Sequence, residues 1–124
     1  MKFKRVLLKI SGEALMGDKP YGISTEVIKF VSQEIQALHN LKIELALVIG
    51  AGNIFRGVAG AASGMDRSSA DNMGMLGTVM NSLAVQDGLE NLDIPTKVMS
   101  AITMLNVCET YERLKALDYL ENKQ

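Results

Sequence analysis

Apolar positions along the chain fall into two dense short runs and three stretches of helical period. Val6-Leu7-Leu8-Lys9-Ile10 is a short apolar run that stops at Ser11-Gly12. It predicts a strand entering a tight loop, and Gly17, Pro20 and Gly22 carry that loop onward. Ser24 then stands as a helix N-cap, with Ile23 and Ile28 placed to form a hydrophobic staple across it. Val27, Ile28, Val31, Ile35 and Leu38 recur at helical spacing, predicting a helix that ends near His39-Asn40. Leu45-Ala46-Leu47-Val48-Ile49 is continuously apolar and bounded by glycine, the signature of a parallel-sheet strand buried on both faces. Strand, helix and strand with short links form a right-handed βαβ unit.

After Gly50-Ala51-Gly52-Asn53-Ile54-Phe55-Arg56-Gly57 comes a small-residue stretch, Val58 to Gly64. A long helix is predicted from about Asp66 to Glu90, with Met73, Leu76, Met80, Leu83 and Ala84 among its apolar positions. Gly74 and Gly77 lie inside it, each costing about 1 kcal/mol against alanine, so close approach of another helix or a ligand is expected there. Beyond Pro95, Lys97 to Ile102 predicts a third strand, and Tyr111 to about Glu121 a last helix. This alternation is that of an α/β protein.

Composition narrows the function classes. Of 124 residues, 48% are apolar and the formal net charge is −1, so no broad electrostatic grip on nucleic acid or an anionic membrane is indicated. The single cysteine, Cys108, excludes an internally disulfide-stapled scaffold and reads as a small buried hydrophobe. Lys2, Lys4 and Arg5 precede an apolar run too short for a signal-peptide core, and no stretch reaches transmembrane length. The cytoplasm is the expected compartment. His39, the one histidine, has no second histidine or cysteine with which to build a zinc site.

Three features carry candidate chemistry, each at or facing the carboxyl end of a predicted strand, where open α/β sheets bind ligands. Lys9-Ile10-Ser11-Gly12 offers a cation and a glycine loop to a phosphate, or else an ordinary surface lysine at a strand end. Gly50-Ala51-Gly52-Asn53 with Arg56 offers close backbone approach and a bidentate cation, or else a plain turn. It is neither a Walker A loop nor a full dinucleotide fingerprint, since Phe55 stands where a third glycine belongs. Asp71 either complements a helix N-terminus and pairs with Arg67, or accepts hydrogen bonds from ribose hydroxyls.

Taken together, these segments resemble the bacterial-type UMP kinases of the amino acid kinase superfamily. The resemblance rests on Leu7-Leu8-Lys9-Ile10-Ser11-Gly12-Glu13-Ala14-Leu15, on Val48 to Gly57, on Gly64-Met65-Asp66-Arg67 through Asp71 to Leu76, and on Met99-Ser100-Ala101-Ile102. It implies a three-layer αβα sandwich of the carbamate kinase-like type with a mostly parallel sheet. It implies transfer of the ATP γ-phosphoryl group to UMP, giving UDP and ADP, with Mg²⁺. By position, Lys9, Ile10, Ser11, Gly12, Gly52 and Arg56 would contact ATP and the transferring phosphates, Lys9 and Arg56 as catalytic cations. Ala51, Gly52 and Asp71 would hold UMP. Gly17, Asp18, Lys19, Pro20, Tyr21 and Gly22 would match a segment linked to GTP as an effector. A homohexamer is implied, with the Gly74 and Gly77 helix as a place of subunit packing.

Two departures accompany the resemblance. Ala51 stands where the family usually has a glycine, and its Cβ disfavours a positive φ. The second is that the family's ATP-binding C-terminal portion is absent, so residues 1–124 would be the N-terminal, UMP-binding portion of an amino acid kinase domain. Such a half-sheet exposes an apolar face and an unpaired edge, so the isolated chain is expected to be marginally stable, aggregation-prone or partner-dependent. Two other function classes stand beside the enzyme: a nucleotide-binding half-domain without catalysis of its own, and a Rossmann-like cofactor binder. The missing third glycine argues against the latter.

Overall fold

A computed structural model describes residues 2–55, 60 and 63–124, so Arg56, Gly57 and part of the small-residue stretch lie outside the described residues. The elements run β1 (Arg5–Ile10), a 3₁₀ turn (Gly12–Leu15), α1 (Thr25–Asn40), β2 (Glu44–Ile49), α2 (Arg67–Glu90), β3 (Met99–Ser100), β4 (Glu109–Thr110) and α3 (Arg113–Glu121). β1 and β2 pair in parallel from Arg5 opposite Glu44 to Ile10 opposite Ile49. β3 and β4 form a second parallel pair.

The first βαβ unit forms as its pattern predicts. The Ser24 hydroxyl accepts from the Val27 N–H at the N-cap of α1, and Ile23 packs against the core that contains Ile28. Because the period of a strand is two, one face of the β1–β2 ribbon carries Val6, Leu8, Ile10, Leu45, Leu47 and Ile49. Ile10, Leu45, Leu47 and Ile49 pack with Ile28 and Ile35 of α1 and Val85 and Leu89 of α2. At the α1–α2 crossing a Cβ on Gly88 would stand 2.7 Å from Ile28 Cγ2, so glycine there is what lets the helices approach.

Three expectations change. β2 is not buried on both faces: Val48 is 48% exposed, as is Leu7 beside it at 60%. These residues share the ribbon's other face, opposite the one that α1 and α2 cover. The third strand shrinks from Lys97–Ile102 to Met99–Ser100, and its partner, Glu109–Thr110, is a strand that periodicity missed because two residues carry no period. Tyr111 does not start the last helix; its N–H donates to the Ser100 carbonyl, extending the β3–β4 ladder, and α3 begins at Arg113.

α2 has the predicted extent, and Asp66 caps it by accepting from the Ser69 N–H. Its facing differs. Met73, Leu76 and Met80 are exposed, while Ala70, Gly77, Val79, Asn81, Val85 and Leu89 are buried. The buried stripe is apolar at Val79, Val85 and Leu89 but small or polar at Ala70, Gly77 and Asn81, and Gly77 and Asn81 lie against the loop that follows β2. No helix among the described residues is long and apolar enough to cross a membrane.

Candidate functional site

Two loops leave adjacent parallel strands at their carboxyl ends and touch. β1 runs into Ser11-Gly12, and β2 runs into Gly50-Ala51-Gly52-Asn53. The Gly50 N–H still donates to the Ile10 carbonyl at 2.9 Å, continuing the ladder one step past β2. A Cβ on Gly12 would stand 2.5 Å from Gly52 N and 2.6 Å from Asn53 Oδ1. Glycine at position 12 is therefore a condition of the two loops meeting. A side chain on Gly52 would likewise occupy the place taken by the Glu13 carboxylate. Glu13 was not singled out by its sequence context; only its place in the first 3₁₀ turn after Gly12 puts an acid there. Ser11 caps that turn, its hydroxyl accepting from Ala14 N–H at 3.3 Å. Lys9 is exposed and shares the ribbon's open face with Leu7 and Val48.

Ala51 and Gly52 continue into an open pocket of about 510 Å³. Its far wall is the first half of α2, with Ala70, Asp71, Gly74 and Thr78. Ala51, Gly52 and Asp71, which the resemblance assigned to one ligand, thus line one cavity. Ala51 is absent from the residues with positive φ, so its Cβ sits there without backbone strain. That Cβ packs on α2, where a Cβ on Gly77 would come within 2.9 Å of it. Gly77 accommodates the chain's own loop. Gly74 leaves the pocket open, since a Cβ placed on it would meet nothing within 4 Å. The Asp71 carboxylate accepts from Arg67 Nε at 3.0 Å in an exposed i,i+4 pair. Such pairs are worth only a few tenths of a kcal/mol, so a ligand hydroxyl competes for the carboxylate at little cost.

Beneath the loops lies a buried amide pair that sequence reasoning missed. Asn53 is 2% exposed and Asn81 0%. Asn53 Nδ2 donates to Asn81 Oδ1 at 3.0 Å, and Asn81 Nδ2 donates back to Asn53 Oδ1 at 2.7 Å. Asn81 also donates to the Gly50 carbonyl at 2.7 Å, and Asn53 to the Gly22 carbonyl at 2.9 Å. The Gly22 N–H donates to the Asn53 carbonyl at 2.7 Å. α2, the loop after β2 and the 17–22 loop are thereby tied at one point. Within that last loop Gly17 and Gly22 take φ of +60° and +84°, the left-handed region that favours glycine. Asp18, Lys19, Pro20 and Tyr21 are exposed between them. Buried asparagines leave no periodic trace, and nothing in the run Met80-Asn81-Ser82 marks its middle residue.

Among the described residues no group of three or more His, Cys, Asp or Glu side chains could hold a metal ion.

The chain matches the amino acid kinase family over residues 4–123. A uridylate kinase of Cereibacter sphaeroides is 57% identical over 122 residues, 98% of this chain and 50% of its own length. One from Paramagnetospirillum magneticum is 53% identical over 120 residues, again covering 50% of its own length. A UMP kinase structure from Bacillus anthracis superposes with a TM-score of 0.92 at 39% identity, over 99% of this chain and 51% of that one. A carbamate kinase from Giardia lamblia, at 18% identity and a TM-score of 0.56, shares the fold. The chain spans about half the length of the curated relatives it matches. Its helices and parallel strands are those of the family's α/β fold, and the segment corresponds to the N-terminal half of a UMP kinase. The chain belongs to the amino acid kinase family.

Proposed function

We propose that residues 1–124 are the UMP-binding portion of a UMP kinase, acting with an ATP-binding portion to make UDP and ADP from UMP and ATP. The observation that carries this reading is the gathering of Ala51, Gly52 and Asp71 around one open pocket, with the Ser11-Gly12 loop abutting Gly52. The loops lie at the carboxyl ends of β1 and β2, where backbone N–H groups meet phosphates. Asp71 stands across the cavity and in this reading accepts from the ribose hydroxyls.

In this reading a UMP phosphate oxygen attacks the γ-phosphorus of ATP, the bond to the β,γ-bridging oxygen breaks, and ADP leaves. Catalysis is positioning and charge stabilisation. Lys9, with Ile10, Ser11 and Gly12, lines the path of the transferring group, and Arg56 and Gly52 hold phosphate oxygens. Mg²⁺ arrives as Mg²⁺-ATP, with the nucleotide's own phosphates as ligands. GTP acts as an effector through residues 17–22, which the Asn53 bonds connect to the acceptor loop. The exposed Met73, Leu76 and Met80 supply an apolar stripe for packing of subunits in a homohexamer. The compartment is the cytoplasm.

Half-length coverage of the relatives favours one second reading, a nucleotide-binding half that is catalytic only with its complement. The test incubates the chain with Mg²⁺-ATP and UMP, CMP or AMP, alone and with the C-terminal half of the Cereibacter sphaeroides enzyme. UDP from UMP in either arm supports the proposal, and the arm that gives it chooses between the readings. Diphosphate from CMP or AMP in preference to UMP, or no UMP binding by calorimetry, overturns it.

A further inference from the structure

Three carbonyls of the turn after β2 are taken up by the protein itself. Gly50 O accepts from Asn81 Nδ2 at 2.7 Å. Ala51 O accepts from the Ile54 and Phe55 N–H groups, both at 2.9 Å, and Asn53 O from the Gly22 N–H at 2.7 Å. The donors to Ala51 and Asn53 are main chain. The donor to Gly50 is a side chain, and it comes from a different element, α2.

That bond fixes a direction. A trans peptide is planar and carries its N–H opposite to its C=O, and no peptide bond among the described residues is cis. The Ala51 N–H shares a plane with the Gly50 carbonyl, so it leaves the turn on the side away from Asn81. Ala51 lines the pocket. Its carbonyl is engaged and its Cβ packs at Gly77, so the polar group it can present to a ligand is its N–H. The next peptide, Ala51–Gly52, is turned the same way by its own carbonyl. Successive N–H groups set out by turned-in carbonyls make an anion-binding concavity. Asn81 is 0% exposed and is not among the residues that line the pocket, so it acts on a ligand only through Gly50. Elsewhere the inward stripe of α2 is apolar, at Val79, Val85 and Leu89. Packing alone would be served by another such side chain; what the amide adds is the orientation of one carbonyl.

We propose that Asn81 is a positioning residue for the acceptor phosphate. It holds the Gly50–Ala51 peptide with its carbonyl towards α2, and so fixes the Ala51 N–H as a phosphate donor before the ligand arrives. The proposal rests on the reading of this pocket as the UMP site. A donor already aimed needs no ordering when the ligand binds. Without Asn81 the peptide is free to turn over, which would set a carbonyl oxygen against the phosphate. Uridine carries no phosphate, so the effect belongs to UMP and not to uridine. The ratio of the two affinities is therefore the signature, and a general loss of stability would not move it.

The test is amide NMR on the labelled chain, alone and with the unlabelled C-terminal half of the Cereibacter sphaeroides uridylate kinase, titrated with UMP and separately with uridine. In the unaltered chain the Ala51 amide proton should move downfield with UMP and not with uridine. Asn81→Ala should lose that shift, and its preference for UMP over uridine should fall on the order of tenfold. Asn81→Asp should fall further, because its carboxylate repels the Gly50 carbonyl. Asn53→Ala leaves Asn81 its bond to Gly50 and should keep most of the preference. A folded Asn81→Ala chain with the unaltered preference overturns the proposal, and so does an equal loss in Asn53→Ala. If the variants do not fold, the unaltered chain decides. UMP that shifts the Gly52 and Asp71 amides but leaves Ala51 where uridine leaves it overturns the proposal while the kinase reading stands. Absence of any response to UMP overturns that reading, and this proposal with it.

Discussion

Asn81→Ala removes the centre of the knot beneath the two loops. The substitution deletes two donated hydrogen bonds of 2.7 Å, to Gly50 O and Asn53 Oδ1, and one accepted from Asn53 Nδ2 at 3.0 Å. Each such bond contributes about 1 kcal/mol net, and a partner left dry costs more than that. Asn81 is 0% exposed, so water does not reach the orphaned groups freely, and a loss of about 3 kcal/mol follows. That is a large part of the 5–15 kcal/mol typical of a whole domain. With a urea m-value of about 1.5–2 kcal/mol per M, the unfolding midpoint should fall by about 1.5–2 M. Asn81→Leu keeps the volume and should lose nearly as much, which separates lost hydrogen bonds from an empty cavity. Asn81→Asp should be worst at neutral pH, since a carboxylate cannot donate to Gly50 O. Its folded-state pKa would be raised, so part of the loss should return as pH falls through that raised value. The double substitution with Asn53→Ala should cost clearly less than the two singles added. A midpoint shift below about 0.3 M for Asn81→Ala, with m unchanged, would refute the reasoning.

Gly12→Ala should destabilise by about 2 kcal/mol, because its Cβ meets backbone that cannot yield cheaply; thermal unfolding reads the loss, and UMP titration should show weakened binding. Asp71→Asn should weaken UMP binding about tenfold, on the order of one charge-assisted hydrogen bond, and should weaken a 2′-deoxy analogue less; equal losses for both ligands would remove Asp71 from the ribose. Hydrogen bonds from Arg5, then Lys123, hold the Glu44 carboxyl below its ordinary value. A depressed carboxyl pKa gives stability that is present above the unfolded-state value and lost as pH falls through the folded one. Stability should therefore drop more steeply below about pH 4.5 in the unaltered chain than in Glu44→Gln, and added salt should shrink the difference.

What the sequence made legible was whatever repeats with a period or occupies a turn. β1, α1 with its Ser24 cap, and β2 with its glycine exit all follow from spacing and caps, and the resemblance drew Ala51, Gly52 and Asp71 to one ligand before their common pocket was visible. The facing of α2 was hidden. Hydropathy marks Met73, Leu76 and Met80, yet the inward stripe runs through Ala70, Gly77 and Asn81, residues that bury little apolar area and matter through closeness and amide bonding. β4 was hidden because two residues paired at long range carry no local signal. The Asn53–Asn81 pair exists only once a loop and a helix have met, so neither residue announces it alone.

The bonds between Asn53 and Gly22 have a consequence for regulation that belongs to thermodynamics more than to geometry. The 17–22 loop and the loop after β2 are joined by the Asn53 side chain and by a backbone bond, so their conformational equilibria are not independent. If a ligand at one loop alters affinity at the other by some factor, the second ligand alters the first by the same factor. An effector that raised UMP affinity through Gly22 would itself bind more tightly to the UMP-loaded chain, and the two titrations would have to return one number.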